Sequence, residues 1–175
     1  MKDRKLLNSE LGRMSPEQYR GKEESGLVVV LDNIRSAHNV GSVFRSADAF
    51  GIDSVALCGI CAVPPSVEIH KSALGAEDSV RWTHYNDTLD AVNELRSKGY
   101  TIVSVEQTEH SLKLGKFRRE EGRKYALVFG NEVDGVRQDV VDASDFSLEI
   151  PQYGTKHSLN VSVSAGVVLW ELVRS

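Results

Sequence analysis

Short, almost wholly apolar runs recur along the chain, and polar or turn-forming residues bound each of them. Runs of this kind, rich in valine, isoleucine and leucine, are typical of strands buried in a parallel sheet. The predicted strands are residues 27–31, 54–58, 80–83, 101–105, 126–129 and 146–150. Segments with helical periodicity separate several of them. The pattern therefore predicts a doubly wound α/β domain with a mostly parallel sheet of about five to six strands and helices on both faces.

The segment after the first strand predicts a helix with two unlike faces. Apolar residues follow the i, i+3, i+4, i+7 spacing of a buried stripe at Val40, Val43, Phe44, Ala47 and Phe50. The opposite face carries Arg45 among small residues, namely Gly41, Ser42 and Ala49. Asn39 is suited to cap this helix and Gly51 to end it. Small residues on the Arg45 face leave room for another surface to pack closely.

The last two predicted strands each end in a polar, turn-prone segment, Gly130-Asn131-Glu132 and residues 151–154. Loops that follow parallel strands converge on one edge of the sheet, which is where ligands bind in such folds. Glu132, Ser158 and Asn160 can supply hydrogen-bond donors and acceptors there. Each of them is equally suited to an ordinary turn.

The composition predicts one ordinary globular domain. Its 175 residues suffice for a single core, and the contents of 41% apolar and 26% charged residues are average for a globular protein. No window approaches the ~20 consecutive apolar residues of a membrane span. The first residues lead into no apolar signal region, so we expect a cytoplasmic protein without a membrane association.

The net charge of −4 argues against a protein that coats nucleic acid through bulk electrostatics. Any RNA contact must then be a local patch. One short segment holds a cluster of cations, Lys113, Lys116, Arg118, Arg119, Arg123 and Lys124. Acidic residues lie among them, so a solvated loop is the alternative.

The sequence holds no familiar metal or nucleotide site. Cys58 and Cys61 form a Cys-x-x-Cys, which could be half of a zinc site or a redox pair. No second cysteine pair completes a zinc site, and a redox motif normally opens a helix, whereas prolines follow here. We therefore interpret them as small apolar residues at a strand end. A Gly-x-Gly-x-x-Gly fingerprint and a P-loop are also absent, so any cofactor must be bound in another way.

Three segments resemble, in order and spacing, the motifs of the SpoU (TrmH-like) RNA ribose 2′-O-methyltransferases of the SPOUT superfamily. They are NVGSVFRSADAFG at residues 39–51, LVFGNEVDGV at residues 127–136 and IPQYGTKHSLNVSVSAGVVLWE at residues 150–171. The resemblance implies a methyltransferase domain over residues 26–175. Residues 1–25 lie outside it and are predicted to be a short helical extension, because Ser15-Pro16-Glu17-Gln18 has a capping residue, a proline at the first helical position and a glutamine three residues after the cap. The resemblance also implies a C-terminal trefoil knot, which no sequence pattern shows.

The resemblance further implies S-adenosylmethionine as cofactor and no metal. The positions that match the family's cofactor loops are Val105, Glu106, Gln107, Gly130, Ile150 and Leu159. The positions that match its catalytic residues are Arg45, Asn39, Glu132, Ser158 and Asn160. A guanidinium stays protonated at neutral pH and is a poor base, so we expect Arg45 to hold a phosphate and stabilise the developing alkoxide. The alternative is that Arg45 acts as the base, which requires that bound substrate perturbs it. Glu132 should fix the arginine or loop geometry, while Ser158 and Asn160 order the cofactor loop.

The start of the third motif supports two conflicting predictions. Leu159, Val161 and Val163 alternate with polar residues, which on pattern alone predicts a strand. The resemblance implies a helix that runs to about Val173, with Ser158 as its N-cap. We follow the resemblance.

The function that the resemblance implies is methylation of a ribose 2′-hydroxyl in structured RNA by a homodimer. The alternative is a catalytically silent RNA-binding or ribosome-assembly factor with the same fold. We expect tRNA rather than rRNA as substrate, because an acidic chain with a short, mildly basic extension offers few phosphate contacts and would recognise RNA by shape. The small-residue face around Arg45 would let a second subunit approach.

Overall fold

The structure is a computed structural model that describes residues 3–174. Its helices are α1 Pro16–Arg20, α2 Ala37–Ala49, α3 Val67–Ala73, α4 Ala76–Ser79, α5 Thr88–Ser97, α6 Gln138–Asp142 and α7 Val161–Arg174. Its strands are β1 Leu27–Asp32, β2 Ser54–Cys58, β3 Arg81–Tyr85, β4 Tyr100–Val105, β5 Leu112–Lys113, β6 Lys124–Gly130 and β7 Phe146–Glu149. Short 3-10 turns lie at Asn8–Glu10 and Leu114–Lys116.

The strands of residues 3–174 form one parallel sheet in the order β3-β2-β1-β6-β4-β7-β5. The predicted doubly wound α/β fold is confirmed. The sheet is larger than predicted, however, with seven strands rather than five to six. The additional strand, β5, has two exposed residues, so neither an apolar run nor an alternation could reveal it.

The pleat of β1 divides its side chains between two cores. Val29 and Leu31 pack with residues of α2, α3 and α7, whereas Val28 and Val30 pack with residues of α5 and α6. Because successive side chains of a strand point to opposite faces, one buried strand serves both layers. Helices therefore cover both faces, as predicted.

Residues 161–174 are a helix, so the strand prediction from alternation is wrong. Of the alternating apolar residues, Val161 is buried, while Leu159 and Val163 are 41% and 50% exposed. The buried positions follow helical spacing at Val161, Ala165, Val168, Leu169 and Leu172. The helix begins after Asn160, whose Oδ1 accepts from the backbone N–H of Ser162 at 2.9 Å. Ser158 is therefore not the cap.

The predicted cap of α2, Asn39, is displaced, and the start of α5 shows the same ambiguity between neighbouring residues. Ser36 caps α2 by accepting from the N–H of Asn39, so Asn39 lies inside the first turn. At α5 the cap is Asp87 rather than the neighbouring Asn86. In both places adjacent residues have suitable oxygens, so side-chain type alone does not fix the first turn.

Gly41, on the small-residue face of α2, packs against α3 of the same chain. A Cβ at Gly41 would lie 2.3 Å from the carbonyl oxygen of Ile69 and 2.2 Å from Oγ of Ser72. The close approach that the sequence predicted is therefore made by an internal helix. Gly41 gives no support to a dimer, which corrects one argument from the sequence.

Part of the N-terminal segment joins the core. The capping box of α1, from Ser15 to Gln18, is present as predicted. Tyr19 is buried, and its hydroxyl lies 3.0 Å from the carbonyl oxygen of Ala47 and 2.8 Å from that of Ile52. The domain boundary between residues 25 and 26 stays a prediction, as does the knot.

The two cysteines are free and buried, as the sequence analysis predicted. Burial raises the pKa of the Cys58 thiol to about 12 and that of Cys61 to about 11, which suits structural rather than reactive thiols. Within residues 3–174, no cluster of three or more metal-ligating side chains occurs. No helix in that part of the chain has the length and apolar character needed to cross a membrane.

Candidate functional site

Loops after β4, β6 and β7 and the first turn of α7 surround a cavity of about 510 Å³. It lies at the carboxyl ends of these strands, where the sequence predicted a ligand crevice. The apolar part of its lining comes from Val105, Phe129, Val133, Leu148, Ile150, Leu159 and Val161. The volume is in the usual range of small-molecule sites, ~300–1,000 Å³.

The lining of this cavity is acidic. Among the described residues, the carboxylates that line it are Glu106, Glu132, Asp134 and Glu149, while no lysine or arginine does so. A cleft lined by one sign of charge concentrates ligands of the opposite sign. The cavity is therefore suited to a ligand that carries positive charge.

All six residues predicted to hold a cofactor line this one cavity: Val105, Glu106, Gln107, Gly130, Ile150 and Leu159. They come from three loops and from the segment before α7. The topology brings them together because β4, β6 and β7 are neighbours in a parallel sheet. Their binding role stays a prediction.

Gly130 is required by the loop that folds back over it. A Cβ at Gly130 would lie 1.9 Å from the carbonyl carbon of Gly135, so no larger residue fits without moving backbone. Oδ1 of Asn131 accepts from the N–H of Val133 at 2.9 Å and of Asp134 at 3.0 Å, which closes a tight turn. The loop after β6 is therefore held against the cavity by its own backbone.

Glu106 and Gln107 tie this loop to the other walls. The Glu106 carboxylate accepts from the N–H of Gln107 at 2.8 Å and from that of Val136 at 3.1 Å. The side-chain amide of Gln107 donates to the carbonyl of His157 at 2.6 Å. These bonds connect the loops after β4, β6 and β7, so the cavity is preorganised.

A chain of hydrogen bonds joins three predicted catalytic residues. Nδ2 of Asn39 donates to Glu132 at 2.8 Å, and Nδ2 of Asn160 donates to Oδ1 of Asn39 at 3.2 Å. Glu132 and Asn160 line the cavity, whereas Asn39 lies behind them. Asn39 therefore links α2 to Glu132 in the loop after β6 and to Asn160 at the start of α7.

The Glu132 carboxylate also lies at the start of α2. It accepts from the N–H groups of Arg35 and Ser36, each at 3.3 Å. Partial burial opposes ionisation, but the hydrogen bond from Asn39 and the backbone donors outweigh it and hold the pKa of Glu132 below its ordinary value. A carboxylate near a helix N-terminus also interacts favourably with the helix dipole. Glu132 is therefore an ionised residue whose hydrogen bonds hold the loop after β6 against the start of α2.

The other two predicted catalytic residues are placed differently. Ser158 lines the cavity and is exposed. Arg45 does not line it: it is an exposed residue of a separate groove that also contains Ser162. The first turn of α7 contributes to both sites: Ser162 lines the groove, and Asn160 and Val161 line the cavity. Arg45 and the cavity are thus neighbours across α7.

The sequence analysis missed a buried carboxylate at the end of β1. Asp32 is fully buried and accepts from the Thr88 hydroxyl at 2.5 Å, from the Asn33 amide at 2.9 Å and from the N–H of Arg137 at 2.9 Å. It ties β1 to the segments after β3 and after the β6 loop. An acidic residue at the end of an apolar run was the available signal.

The fold and the cavity define a small-molecule-binding α/β protein whose site is built from loops after three late strands. A sequence model of the SpoU rRNA Methylase family matches residues 26–170, and the chain belongs to that family. It is 37% identical over 158 residues to the 23S rRNA (guanosine-2′-O-)-methyltransferase RlmB of Nitrosomonas europaea. That match covers 88% of this chain and 58% of the relative's length. A second curated relative is matched over 62% of its own length, so this chain spans about three fifths of these relatives.

Solved structures show the same architecture. An AdoMet-bound rRNA methyltransferase from Sinorhizobium meliloti superimposes with a TM-score of 0.79 at 27% identity, over 93% of this chain and 60% of that one. A TrmH/SpoU tRNA modifying enzyme from A. aeolicus gives a TM-score of 0.78 at 26% identity, over 91% and 81%. The resemblance stated from the three motifs is confirmed at the level of family and fold.

Proposed function

We propose that this protein methylates a ribose 2′-hydroxyl of structured RNA with S-adenosylmethionine as the methyl donor. Family membership and the named activities of the relatives support the proposal. The observation that carries it is the arrangement around the first turn of α7. An acidic cavity lies on one side of this turn and the groove of Arg45 on the other.

The cavity fits this cofactor in charge and in kind of contact. S-adenosylmethionine supplies a methyl group on a sulfonium and carries a net positive charge, which the acidic lining favours. Backbone of residues 105–107, Gly130 and Ile150 would hold it, with Leu159 against its apolar part. The hydrogen bonds from Glu106 and Gln107 keep these loops in place before binding.

The residues of the chain contribute positioning and charge to the reaction. Arg45 binds RNA phosphate and stabilises negative charge that develops on the 2′-oxygen. Glu132 and Asn39 hold α2, which carries Arg45, against the loop after β6. Asn160 fixes the first turn of α7 between the two ligands. Alignment of reacting groups can supply several kcal/mol of a barrier, roughly 7–11 in the best cases.

Within structured RNA, the proposal keeps tRNA as the favoured substrate because of the acidic chain, although the relative from N. europaea is named for 23S rRNA. Tritiated methyl transfer onto total RNA from a strain lacking the gene, followed by size separation, tests this directly. Label on the large rRNAs alone would refute the tRNA preference. Label on bases rather than ribose would refute the chemistry.

Calorimetry with S-adenosylmethionine separates the enzyme from a silent RNA-binding factor, with S-adenosylhomocysteine as a control. We expect binding to the wild type and to Arg45→Ala within a few-fold, because Arg45 lies outside the cavity. Arg45→Ala should abolish methyl transfer. Absence of cofactor binding by the wild type would favour the silent factor.

We also propose that the protein is a homodimer, with α7 at the interface. Four large apolar side chains are exposed along one side of this helix: Val163 at 50%, Val167 at 39%, Trp170 at 55% and Val173 at 42%. The Trp170 ring lies 5.9 Å from that of Phe50, which extends the patch onto α2. Contiguous exposed apolar patches mark interaction sites.

Sedimentation tests the dimer. Trp170→Glu should shift the protein toward a monomer, whereas Ile60→Glu should not, although Ile60 is 63% exposed on another part of the surface. A wild-type monomer at micromolar concentration would refute the homodimer.

A further inference from the structure

A groove of about 480 Å³ lies between α2, α3 and the first turn of α7, and its lining differs in charge from the acidic cavity. Its ionisable side chains are His38, Arg45 and Lys71, and no carboxylate of residues 3–174 lines it. Hydroxyl groups contribute most of the remaining polar lining, from Ser42, Ser46, Ser72 and Ser162. Cationic groups beside hydroxyl donors are a typical phosphate-binding combination.

Several of these groups are available to a ligand. Arg45 is exposed and makes no hydrogen bond or ion pair with any residue of the described chain. The Lys71 ammonium lies 2.8 Å from Glu68, but the two side chains are 62% and 61% exposed. Such exposed pairs contribute little to stability, so Lys71 can leave Glu68 for a phosphate at little cost.

The walls of the groove are fixed relative to one another. The Gly41 position of α2 contacts the Ile69 carbonyl of α3, so the two helices touch through their backbones. The Ser72 hydroxyl donates to the carbonyl of His38 at 2.9 Å. Lys71 and Arg45 are therefore presented from a rigid helix pair, which limits the entropy lost when a ligand is bound.

We propose that this groove binds the RNA backbone, with Lys71 and His38 as phosphate contacts beside Arg45. The inference rests on the proposed function, to which it adds two binding residues and a path for the strand. RNA in the groove reaches the cavity across the first turn of α7, because that turn contributes to both linings.

The other basic segment of the chain is less suited to this role. Arg119 donates to the carbonyl of Ser25 at 2.7 Å, so this cation is engaged within the protein. Arg119, Arg123 and Lys124 precede or begin β6 and lie at the amino end of that strand, while the cavity lies at its carboxyl end. An RNA bound there would not approach the cavity of the same chain.

The test compares Lys71→Ala with Lys98→Ala by filter binding of end-labelled total RNA from a strain lacking the gene. Lys98 is a matched control, since it is a 58% exposed lysine that directly follows α5 and pairs with Glu94 one turn earlier. We expect Lys71→Ala to weaken binding about three- to tenfold and to lower the salt slope by roughly 0.7–0.9, as loss of one phosphate contact predicts. Lys71→Arg should restore binding, and Lys98→Ala should equal the wild type.

Ser42→Asp gives a second perturbation that places a negative charge in the groove, and it should weaken RNA binding at least as much. Calorimetry with S-adenosylmethionine checks that each variant keeps a folded cavity. Equal binding by Lys71→Ala and Lys98→Ala would overturn the groove proposal, as would a wild type that does not bind RNA. Displacement of RNA by ATP at matched ionic strength would assign the groove to mononucleotides instead. RNA binding through Lys71 without methyl transfer would keep the groove and refute the proposed reaction.

Discussion

Gly41→Ala is the substitution for which the structure makes the sharpest prediction. Gly41 lies inside α2, where its backbone touches α3. The added methyl carbon would lie 2.3 Å from the Ile69 carbonyl oxygen and 2.2 Å from Oγ of Ser72. The serine side chain can rotate away, but the Ile69 carbonyl belongs to a helix and can move only if α3 moves.

Two opposing contributions set the size of the effect. Glycine to alanine in a helix interior ordinarily stabilises by roughly 0.5–1 kcal/mol, because alanine loses less backbone entropy on folding. Inserting a methyl group into a filled contact costs typically about 1–3 kcal/mol. We therefore expect Gly41→Ala to lower the free energy of unfolding by about 1–2 kcal/mol. At roughly 2–4 °C per kcal/mol for a chain of this size, Tm should fall by about 4 °C.

Gly166→Ala is the matched control, measured in the same thermal and urea unfolding experiments. Gly166 also lies inside a helix, α7, but its nearest neighbour would be Oγ of Ser46 at an ordinary 3.8 Å. Only the helix-propensity gain remains, so Tm should rise by about 2 °C. The reasoning fails if Gly41→Ala is as stable as the wild type while Gly166→Ala behaves as expected. If both variants are destabilised alike, the contact with α3 is not the cause.

Asp32→Asn should lower the free energy of unfolding in urea by about 1–3 kcal/mol, because an amide cannot accept from both Thr88 and the N–H of Arg137. Asn160→Ala should cost about 1 kcal/mol through loss of the α7 cap and weaken cofactor binding by calorimetry, while Asn160→Asp keeps the cap but not the donation to Asn39. Glu132 has a lowered pKa in the folded state, so its contribution to stability is present at neutral pH and lost as the pH falls through that pKa. Glu132→Gln should therefore show a shallower fall of Tm on acidification than the wild type.

The positions of the core strands, and that they are buried, could be predicted from the sequence because each core strand is a dense apolar run. β1 is buried along its whole length, which follows directly from its run of valine and leucine. The edge strand β5 could not be predicted, since its pairing with β7 depends on neighbours rather than on its own residues. Helix starts were displaced by a few residues for a related reason. Ser36 and Asn39 both have capping oxygens, and tertiary contacts with Glu132 decide which one lies inside the helix.

The motifs predicted which residues belong to the site. They did not predict that these residues lie around two separate depressions, the acidic cavity and the groove of Arg45. The residues proposed for the cofactor come from the ends of adjacent parallel strands, so topology alone brings them together. Arg45 lies only six positions after Asn39, yet it faces another groove because that interval turns a helix by about 600°, or 240° around its axis. Lys71 belongs to α3. The small residues of α2 indicated a close approach at Gly41, but no local pattern identified α3 as the element that packs there.

The separation of charge between the two linings would allow a protein of net charge −4 to bind the polyanionic substrate proposed for it. The carboxylates Glu106 and Glu132 line the cavity proposed for a cationic cofactor, while Arg45 and Lys71 line the groove proposed for phosphate. Each ligand is repelled from the other's site, so the same charges that favour correct binding also oppose the wrong one. The first turn of α7 contributes to both linings, so a ribose bound in the groove would come nearest to the cavity there. Neutralising Lys71 should therefore weaken RNA binding and leave cofactor binding unchanged, whereas a change in the acidic lining should do the reverse.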